Sequence, residues 1–588
     1  MAIQETAARG GAEPGGAARE RAAVVGIRPS GDRAILVELS SLDAVLSLQR
    51  QLDAEPIPGQ LDVVAAATTV LVAADSPASL SALVRRVRSL DLASGQQRPG
   101  ELVVIETVYD GADLDEAAGL AGMSRESLVA AHAEQVWNAA FGGFAPGFAY
   151  LAGDGALDVP RRSSPRTAVP AGAVALAGTY SAVYPRQSPG GWQLIGHTSA
   201  VMWDLERPDP ALVRPGDRVR FEPVRERAAV TAPGGPAASK GTRRGPTAPL
   251  DAQAPPTPST SGPGLVVVST GMQCTVQDLG RPGLASLGVS AAGAMDRASL
   301  RRANRLAGNP EAAAALEALF GGLALRAASD QVLAVTGARV PLSIARSEIA
   351  RSEGGTDDDA PTPSSVRHAP LDAPFALLAG ETLTVGAPTA GLRTYIAVRG
   401  GLDVPEALGS RSTDTLSGIG PEPLRAGSRL GVLPTRGAQI VGLPEEPPRL
   451  PEGTAVLRVV PGPRQDWFTS ASRDAFYAEE WTVTPQSNRV GLRLSGPELE
   501  RERQGELKSE GTVLGSVQVP PNGQPVLFLA DHPVTGGYPV IGVVLDADLD
   551  RAGQLPPGAR VRFAAVDPPT HGLEPSDPLT DSEGTAHA

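Results

Sequence analysis

Short apolar runs bounded by glycine or proline dominate this chain, and the pattern is typical of β-strands rather than long helices. The runs richest in β-branched residues predict strands at 102–109, 173–178, 332–337, 394–400 and 525–531. Such a chain is expected to fold as β-rich α+β domains that are built around barrels.

Apolar residues at helical spacing are fewer and occur in three main places. They predict helices at 80–91, at 113–137 and at 295–320. The third prediction is interrupted at Gly308-Asn309-Pro310, which we interpret as a helix C-cap followed by a restart of the helix. These helices are expected to lie at the periphery of the strand-rich bodies.

Two parts of the chain repeat one pattern of glycines, aromatics and apolar residues. Residues 189–196 read PGGWQLIG, and residues 535–542 read TGGYPVIG. Further along, both 215–224 and 557–566 read Pro-Gly-x-Arg-Val-Arg-Phe-x-x-Val. The same order in both places predicts a duplicated β-rich unit whose two copies end on the same strand.

Stretches rich in proline, serine and glycine divide the chain. Residues 226–263 hold almost no bulky apolar side chain and predict a disordered linker, whereas 350–370 predicts a surface loop between strands. The predicted order is a disordered tail at 1–22, an α+β domain at 23–112, a barrel at 113–225, the linker at 226–263, a domain at 264–450, a barrel-type domain at 451–566 and a disordered tail at 567–588.

The charged residues exclude several chemistries. The 588 residues carry 52 Lys plus Arg against 65 Asp plus Glu, and only Lys240 and Lys508 are lysines. Neither lysine follows a glycine, as a Walker A phosphate loop requires, and neither has the methionine neighbours of a biotin carrier. The net charge of −13, without basic stripes, argues against nucleic acid as a partner.

The sequence also argues against metal and membrane binding. Cys274 is the single cysteine, and the six histidines include no His-Glu-x-x-His pair. No run approaches the roughly 18 apolar residues of a membrane span, and the first residues lack the apolar core of a signal peptide. We therefore expect a cytoplasmic protein that holds no metal and acts on a small molecule.

Glycines, aromatics and arginines cluster at 141–192. Glycine lets backbone approach a ligand closely, aromatic rings supply apolar walls, and arginine binds carboxylates in bidentate fashion. The cluster predicts a binding surface, although hairpin turns with core aromatics would look similar. The binding candidates are Phe144, Gly147, Phe148, Tyr150, Gly190, Gly191 and Trp192, with Arg162, Arg166 and Arg186 as carboxylate ligands.

Polar residues crowd the turns of the second body. Glu510, Asp531 and His532 are the candidate general acids and bases, because burial and neighbouring charges tune such groups. Each of the three, taken alone, is more often a satisfied turn residue than an acid or base. The binding candidates beside them are Gln277, Asp278, Arg281, Ser509 and Gln518.

Several of these strings resemble one family. FGGFAPGFAYL (141–151) with SPGGW (188–192) resembles the B subunit of bacterial ATP-dependent 5-oxoprolinase, a kinase-inhibitor type also called allophanate hydrolase subunit 1. TVQDLGRPG (275–283), SEGTVLGSVQVP (509–520) and DHPVTGGYP (531–539) resemble its C subunit, also called allophanate hydrolase subunit 2. The same pair forms the carboxyltransferase region of urea amidolyase, so the chain resembles a natural fusion of B and C.

The resemblance implies a cyclophilin-like barrel in each half, smaller α+β domains beside them, and a site between the halves where these segments converge. His532-Pro533-Val534 stands where relatives often have Arg-Gln-Thr, so roles at these positions transfer poorly. The resemblance adds to the binding candidates Pro146, Arg489, Gly536, Gly537 and Tyr538.

Three functions follow from the resemblance. The favoured one is hydrolysis of the 5-oxo-L-proline lactam to L-glutamate with a separate A subunit that uses ATP, without a covalently bound cofactor; Arg281 or Arg489 would then hold the substrate carboxylate. The second is transfer of a carboxyl group from biotin on a partner to urea or a similar acceptor. The third is non-enzymatic regulation of a histidine kinase. Homo-oligomer formation stays open in all three.

Overall fold

The computed structural model describes residues 24–92, 100–225, 264–346, 366–435, 440–505 and 507–568. The linker expected at 226–263, the tail expected at 1–22 and most of the loop and tail expected at 350–370 and 567–588 lie outside the described residues. Four units follow one another: an N-terminal sheet unit, a first barrel, a two-sheet unit and a second barrel.

The N-terminal sheet unit is an antiparallel sheet with two helices on one face. Its strands, in the order β1-β2-β4-β3, are β1 (Val24–Pro29), β2 (Ala34–Leu39), β3 (Gln60–Ala65) and β4 (Thr69–Ala74). The helices are α1 (Leu42–Ala54) and α2 (Pro77–Ser89), each begun by a serine that accepts a backbone hydrogen bond. The opposite sheet face buries Leu36, Val64 and Leu71 against Ala285 and Val513 of the C-terminal half.

Seven strands form the first barrel. They are β5 (Leu102–Thr107), β6 (Trp137–Gly143), β7 (Ala145–Ala152), β9 (Ala173–Ala177), β10 (Tyr180–Val183), β12 (Gln193–His197) and β13 (Arg218–Pro223). Their order is β12-β9-β10-β7-β6-β13-β5, and an antiparallel bridge between Val108 and His197 joins the two edges. Outside the barrel lie α3 (Leu114–Leu120), α4 (Arg125–Glu134) and a separate pair of strands, β8 (Arg166–Val169) with β11 (Ser188–Gly190).

The two-sheet unit packs a seven-stranded sheet against a five-stranded one. The first has the order β20-β19-β22-β17-β14-β25-β24, and the second has the order β15-β16-β23-β18-β21. The elements are β14 (Gly264–Thr270), β15 (Gln273–Gln277), α5 (Arg297–Ala307), β16 (Ala315–Leu319), β17 (Leu323–Ala327), β18 (Gln331–Arg339), β19 (Leu342–Arg346), β20 (Arg367–His368), β21 (Pro374–Leu377), β22 (Glu381–Val385), β23 (Ala390–Val398), β24 (Leu402–Asp403) and β25 (Arg429–Val432).

One sequence prediction is wrong here. Helix α5 ends at a left-handed Gly308, as the C-cap prediction requires, but no helix restarts after Pro310. Residues 315–319 form β16 instead, between β15 and β23. Alanine, leucine and glutamate favour helices in isolation, and pairing on both edges of this strand outweighs that preference.

The second barrel is closed by seven strands. Its elements are β26 (Ala455–Pro461), α6 (Ser470–Ala478), β27 (Trp481–Val483), β28 (Gly491–Ser495), β29 (Glu510–Gly511), β30 (Ser516–Gln518), β31 (Val526–Phe528), β32 (Thr535–Gly536), β33 (Val540–Val544), α7 (Asp546–Gly553) and β34 (Arg560–Ala565). The barrel order is β26-β33-β30-β31-β28-β27-β34, and β29 pairs with β32 outside it.

The two barrels confirm the predicted duplication. Because the second barrel is closed, its order can be read from β33 as β33-β30-β31-β28-β27-β34-β26. This order matches the first barrel strand by strand, from β33 in the place of β12 to β26 in the place of β5. In both barrels the last strand runs parallel to the first one. Trp137 and Trp481 begin equivalent strands, and each indole N–H donates to the carbonyl five residues earlier. The predicted fold class, with two barrels in tandem beside smaller α+β units, is confirmed.

Candidate active site at the junction of the halves

Loops of the first barrel reach into the second half. The Phe144 amide donates to Thr535 Oγ1 at 3.0 Å, and the Tyr150 hydroxyl lies 3.3 Å from Ser509 Oγ. Phe144 adopts a positive φ of 63°, which is uncommon for a residue with a side chain and marks a constrained turn. The segment around Gly147 therefore contacts the segments that carry Ser509 and Gly536, as the family resemblance implies.

The predicted aromatic wall is mostly packed against itself. Phe148, Tyr150 and Trp192 are nearly fully buried, and the Trp192 ring centroid lies 5.6 Å and 5.5 Å from those of Phe148 and Tyr150. Gly190 makes room for the cluster, because a Cβ there would lie 2.3 Å from the Tyr184 hydroxyl. Phe144, which is 37% exposed, is the member of this group left accessible to a ligand.

Arg281 is a buried guanidinium without an ion-pair partner among the described side chains. It is 2% exposed, and its hydrogen bonds go to the backbone carbonyls of Ala407 (3.3 Å) and Ser412. Its Nη1 atom is buried and has no hydrogen-bond partner within the described part of the chain. Burial lowers the pKa of Arg281 below its ordinary value. A buried cation with a free donor is suited to binding an anion.

Asp278 holds the loop on which Arg281 depends. Its carboxylate accepts hydrogen bonds from Ser410 Oγ and Ser412 Oγ, each at 2.6 Å, and from the Arg411 amide at 2.6 Å. Gln277 donates to the Thr413 carbonyl at 3.0 Å. These contacts fix the backbone carbonyl of Ser412, which accepts from Arg281, while Gln277 Oε1 is buried without a hydrogen-bond partner among the described residues.

Asp414 and Arg186 stand near Arg281 and carry further charge. Burial raises the pKa of Asp414 above its ordinary value, with a further contribution from the Asp531 charge. Asp414 in turn favours the charged forms of Arg281 and Arg186, although burial lowers the pKa of both arginines. Asp414 was missed as a site residue because its sequence context, a turn after Ser-Thr, looks like an ordinary capping position.

Arg489 belongs to a saturated ion cluster. Its guanidinium donates twice to Asp531, at 2.9 Å each, once to Glu317 at 2.6 Å and once to the Gly293 carbonyl at 2.6 Å. Asp531 also accepts the Thr415 amide and hydroxyl, at 2.9 and 2.6 Å. The predicted residues 489 and 531 therefore join the second barrel to the two-sheet unit, and their polar atoms are occupied.

Glu510 is also held in an ion pair. Arg464 Nε donates to both of its carboxylate oxygens, at 3.0 and 2.9 Å, and Arg464 also pairs with Glu38 of strand β2. Burial raises the pKa of Glu510 although Arg464 opposes this shift. Burial also acts to raise the pKa of Glu38, but Arg464 and Arg28 together lower it. The three groups link the N-terminal sheet unit to the second barrel.

His532 is buried and neutral. Burial lowers its pKa to about 4, against which backbone hydrogen bonds of Leu529 and Thr512 act only in part. Its Nδ1 lies 2.9 Å from the Leu529 carbonyl oxygen. At neutral pH this imidazole is uncharged and can accept a proton, although a pKa this low makes it a weak base, and the nearby Asp531 charge acts to raise that pKa.

The remaining predicted residues surround the β29–β32 pair. Gln518 is buried, and its Nε2 has no hydrogen-bond partner among the described residues. A Cβ on Gly536 would lie 2.2 Å from that nitrogen, so a larger residue there would displace the Gln518 amide. Tyr538 is 44% exposed, and its ring lies 5.9 Å from the Arg501 guanidinium carbon. Gly537 directly follows β32, Gly191 directly follows β11, and Pro146 lies within β7.

Two features of the described residues bear on metal and membrane binding. Within the described ranges, histidine, cysteine, aspartate and glutamate nowhere gather in a group of three that could hold a metal ion. None of the helices in the described part of the chain is both long and apolar enough to cross a membrane.

Comparisons with known proteins match both halves of the chain. The family "Carboxyltransferase domain, subdomain C and D" matches residues 25–213, and "Carboxyltransferase domain, subdomain A and B" matches residues 287–565. The solved structure of the protein TTHA0988 has 34% identity and a TM-score of 0.74, and the match covers 90% of this chain and 99% of that one.

Named relatives divide between the halves in the same way. The 5-oxoprolinase C subunit of Escherichia coli (strain K12) is 38% identical over 51% of this chain and 90% of its own length. The B subunit of Escherichia coli O157:H7 is 39% identical over 29% of this chain and 78% of its own length. Urea amidolyase of Saccharomyces cerevisiae is 30% identical over 55% of this chain, but that covers 17% of the yeast protein. The chain therefore belongs to the family of the B and C subunits of 5-oxoprolinase, with a B-type half followed by a C-type half in one polypeptide.

Proposed function

We propose that this chain is the B–C component of a cytoplasmic, ATP-dependent 5-oxoprolinase, which opens the lactam of 5-oxo-L-proline to L-glutamate together with a separate A subunit. Similarity to the B and C subunits within one chain supports the reaction. The observation that carries the proposal for the site is the buried, unpaired guanidinium of Arg281 beside the junction of the two halves.

The substrate has one carboxylate and one cyclic amide. Arg281 would bind the carboxylate, because its unpartnered Nη1 offers a charge-assisted hydrogen bond in a site shielded from water. Hydrolysis breaks the lactam C–N bond, adds the hydroxyl of water to the carbonyl carbon and returns a proton to the nitrogen. ATP would supply the activation of the amide oxygen through the A subunit, since neither lysine of this chain sits in a phosphate loop.

Proton transfer would fall to the group with the greatest freedom among the three acid–base candidates. Asp531 accepts four hydrogen bonds, and Glu510 is held by Arg464. His532 is neutral and makes its hydrogen bonds with backbone groups. We assign the proton-accepting role to His532, with Asp531 favouring the imidazolium that forms.

The second candidate function is carboxyl transfer. Both halves match carboxyltransferase families, and the yeast urea amidolyase is 30% identical over 55% of this chain. Biotin would then come from a partner, because the chain lacks a carrier lysine between methionines. Urea carries no carboxylate, so this function gives Arg281 no substrate group of opposite charge.

Reconstitution separates the two functions. The full chain is mixed with an A-subunit-like 5-oxoprolinase protein, ATP and 5-oxo-L-proline, and glutamate and phosphate are measured with each component omitted in turn. Glutamate formation that needs both proteins and ATP supports the first function. Transfer of carboxyl label from a carboxylated biotin carrier to urea, without turnover of 5-oxo-L-proline, would replace it by the second.

A further inference from the structure

An ion pair connects the first barrel to its outer strands, β8 and β11, which we call the first outer ladder. Arg166 of β8 lies opposite Gly190 of β11, and its Nη2 donates to Asp113 at 2.6 Å. The Asp113 amide donates to the Leu194 carbonyl of barrel strand β12 at 2.9 Å, and its carboxylate accepts the Leu194 amide at 2.8 Å. Asp113 thereby fixes the outer ladder to the barrel.

The second barrel has the same connection with its charges exchanged. In the second outer ladder, β29 and β32, Glu510 lies opposite Gly536. The carboxylate accepts Arg464 Nε at 3.0 and 2.9 Å, and the Arg464 amide donates to the Val540 carbonyl of β33 at 3.1 Å. In the second barrel the arginine of the ion pair is therefore on the barrel side, and the carboxylate is on the ladder side.

This exchange separates two roles that a buried carboxylate can play. A tether needs a hydrogen-bond donor at one position and an acceptor at the other, and an ion pair in either arrangement supplies them. Proton transfer needs the carboxylate itself on the side that faces the substrate. Because Arg166 occupies the place of Glu510 in the first barrel, the duplicated feature is the ion pair and not the acid.

We infer that Glu510 is a positioning residue of the proposed 5-oxoprolinase site and does not move the proton. Its pair with Arg464 sets the second outer ladder, which presents Ser509 to Tyr150 and Thr535 to the amide of Phe144. The kinetic part of this inference rests on the proposed function. The tether concerns only how Glu510 holds the second outer ladder, and it does not depend on that function.

Glu38 extends the tether to a third unit. Arg464 Nη1 donates to Glu38, which also accepts Arg28 Nε at 3.0 Å. The N-terminal sheet unit is thus fixed to the same arginine as the ladder. In the first barrel the corresponding extra contact is made by another arginine, since Arg162 Nη1 donates to Asp113 at 2.8 Å.

The test exchanges the charges of the second barrel for those of the first. The variants of the full chain are Glu510→Gln, Glu510→Arg, and Glu510→Arg with Arg464→Asp. The last two are made in a Glu38→Gln background, which removes the carboxylate that would repel the new aspartate. Turnover with the A-subunit-like protein is measured as kcat, KM and pH profile, and hydrogen exchange is measured at residues 510–512 and 534–536.

A positioning role predicts that Glu510→Gln, which still accepts from Arg464, costs less than about tenfold in kcat/KM and leaves the pH profile unchanged. The exchanged pair is expected to recover most of the ladder protection and turnover that Glu510→Arg loses. A loss of about 100-fold or more for Glu510→Gln, with one limb of the pH profile missing, would show that Glu510 moves the proton and overturn the inference.

Hydrogen exchange tests the tether even if the wild-type chain opens no lactam. The absence of lactam opening would contradict the proposed function and not the tether. Restored protection of the ladder in the exchanged pair supports the tether. Wild-type protection in Glu510→Arg, or continued loss of protection in the exchanged pair despite a folded barrel, would overturn it.

Discussion

His132 in the first barrel occupies the position that Phe476 holds in the second. The His132 ring lies 4.4 Å from the ring of Phe221, and the Phe476 ring lies 4.5 Å from that of Phe563. Each precedes by five residues the buried tryptophan that donates to its carbonyl. One copy of the duplicated core therefore carries an ionisable ring where the other is purely apolar.

This difference makes the first barrel sensitive to acid. Burial lowers the pKa of His132 to about 3, below its ordinary value of 6.5. The neutral ring therefore contributes fully to stability above pH 6.5, and this contribution is lost as the pH falls from 6.5 towards 3. The loss over the whole window is on the order of 5 kcal/mol.

His132→Phe should flatten this dependence. The variant is expected to lose less free energy of unfolding than the wild type between pH 7.5 and 4.5, as measured by urea unfolding. At pH 7.5 it should be less stable by about 1–3 kcal/mol, because Tyr109 and Ser181 lose the ring nitrogens that they contact at 2.8 Å. His197→Gln, at an exposed position, is the control. An unchanged pH dependence in His132→Phe would show that another group causes the acid loss.

Arg281→Gln should separate activity from stability. Removing a guanidinium that binds the substrate carboxylate should raise KM for 5-oxo-L-proline about 10- to 100-fold. The effect on stability should be small, because burial opposes the charge that is removed while the carbonyls of Ala407 and Ser412 lose a donor. Steady-state kinetics and thermal unfolding give the two quantities, with the exposed Arg326→Gln as the matched control. Unchanged KM would remove Arg281 from substrate binding.

Arg489→Gln should have a much larger effect on stability. The variant leaves Asp531 buried without the guanidinium that it pairs with and leaves Glu317 with the more distant Arg393 Nε at 3.5 Å; breaking such a cluster costs about 3–5 kcal/mol. The expected result is a large drop in the denaturation midpoint with loss of the contact between the second barrel and the two-sheet unit. If Arg489→Gln instead raised KM with unchanged stability, Arg489 and not Arg281 would be the carboxylate ligand.

Much of this fold can be predicted from the sequence because the signals for strands and turns depend on residues that are close together in the chain. The strands at 102–107, 173–177 and 331–339 lie where β-branched runs predict them, and the repeated Gly-Gly-aromatic strings mark equivalent positions of the two barrels. Strand β16 was missed because its composition favours a helix, and its environment, with Glu317 paired to Arg489, is fixed only by the tertiary structure.

The site was harder to predict than the fold. The polar residues around the glycines placed Arg281 among the candidates, and resemblance to a family indicated which segments converge. The contact between Arg464 and Glu38 joins residues 426 positions apart, and no pattern within a short window of sequence predicts such a pair. The sequence shows only that Glu510 and His532 are both ionisable. Their contacts in the structure distinguish a carboxylate that is paired with an arginine from an imidazole that is neutral.

Adding a single methyl group at Gly142 tests the contact between the two halves of the chain. A Cβ on Gly142 of β6 would lie 2.3 Å from the Ser286 carbonyl oxygen of the C-terminal half, and this atom belongs to backbone that cannot rotate away. Gly142→Ala should therefore displace the first barrel from the turn at 285–287. Overpacking of this kind costs about 1–3 kcal/mol, and the site between the halves should lose activity with it.

Gly119 supplies the matched control for this substitution. It lies in helix α3, and a Cβ there would meet no atom within 4 Å among the described residues. Gly119→Ala should therefore keep full activity and gain about 0.5–1 kcal/mol, because alanine restricts the unfolded chain and favours the helix. Equal unfolding midpoints and equal turnover for Gly142→Ala and wild type would mean that the halves can separate here without consequence, and that the candidate site does not depend on this contact.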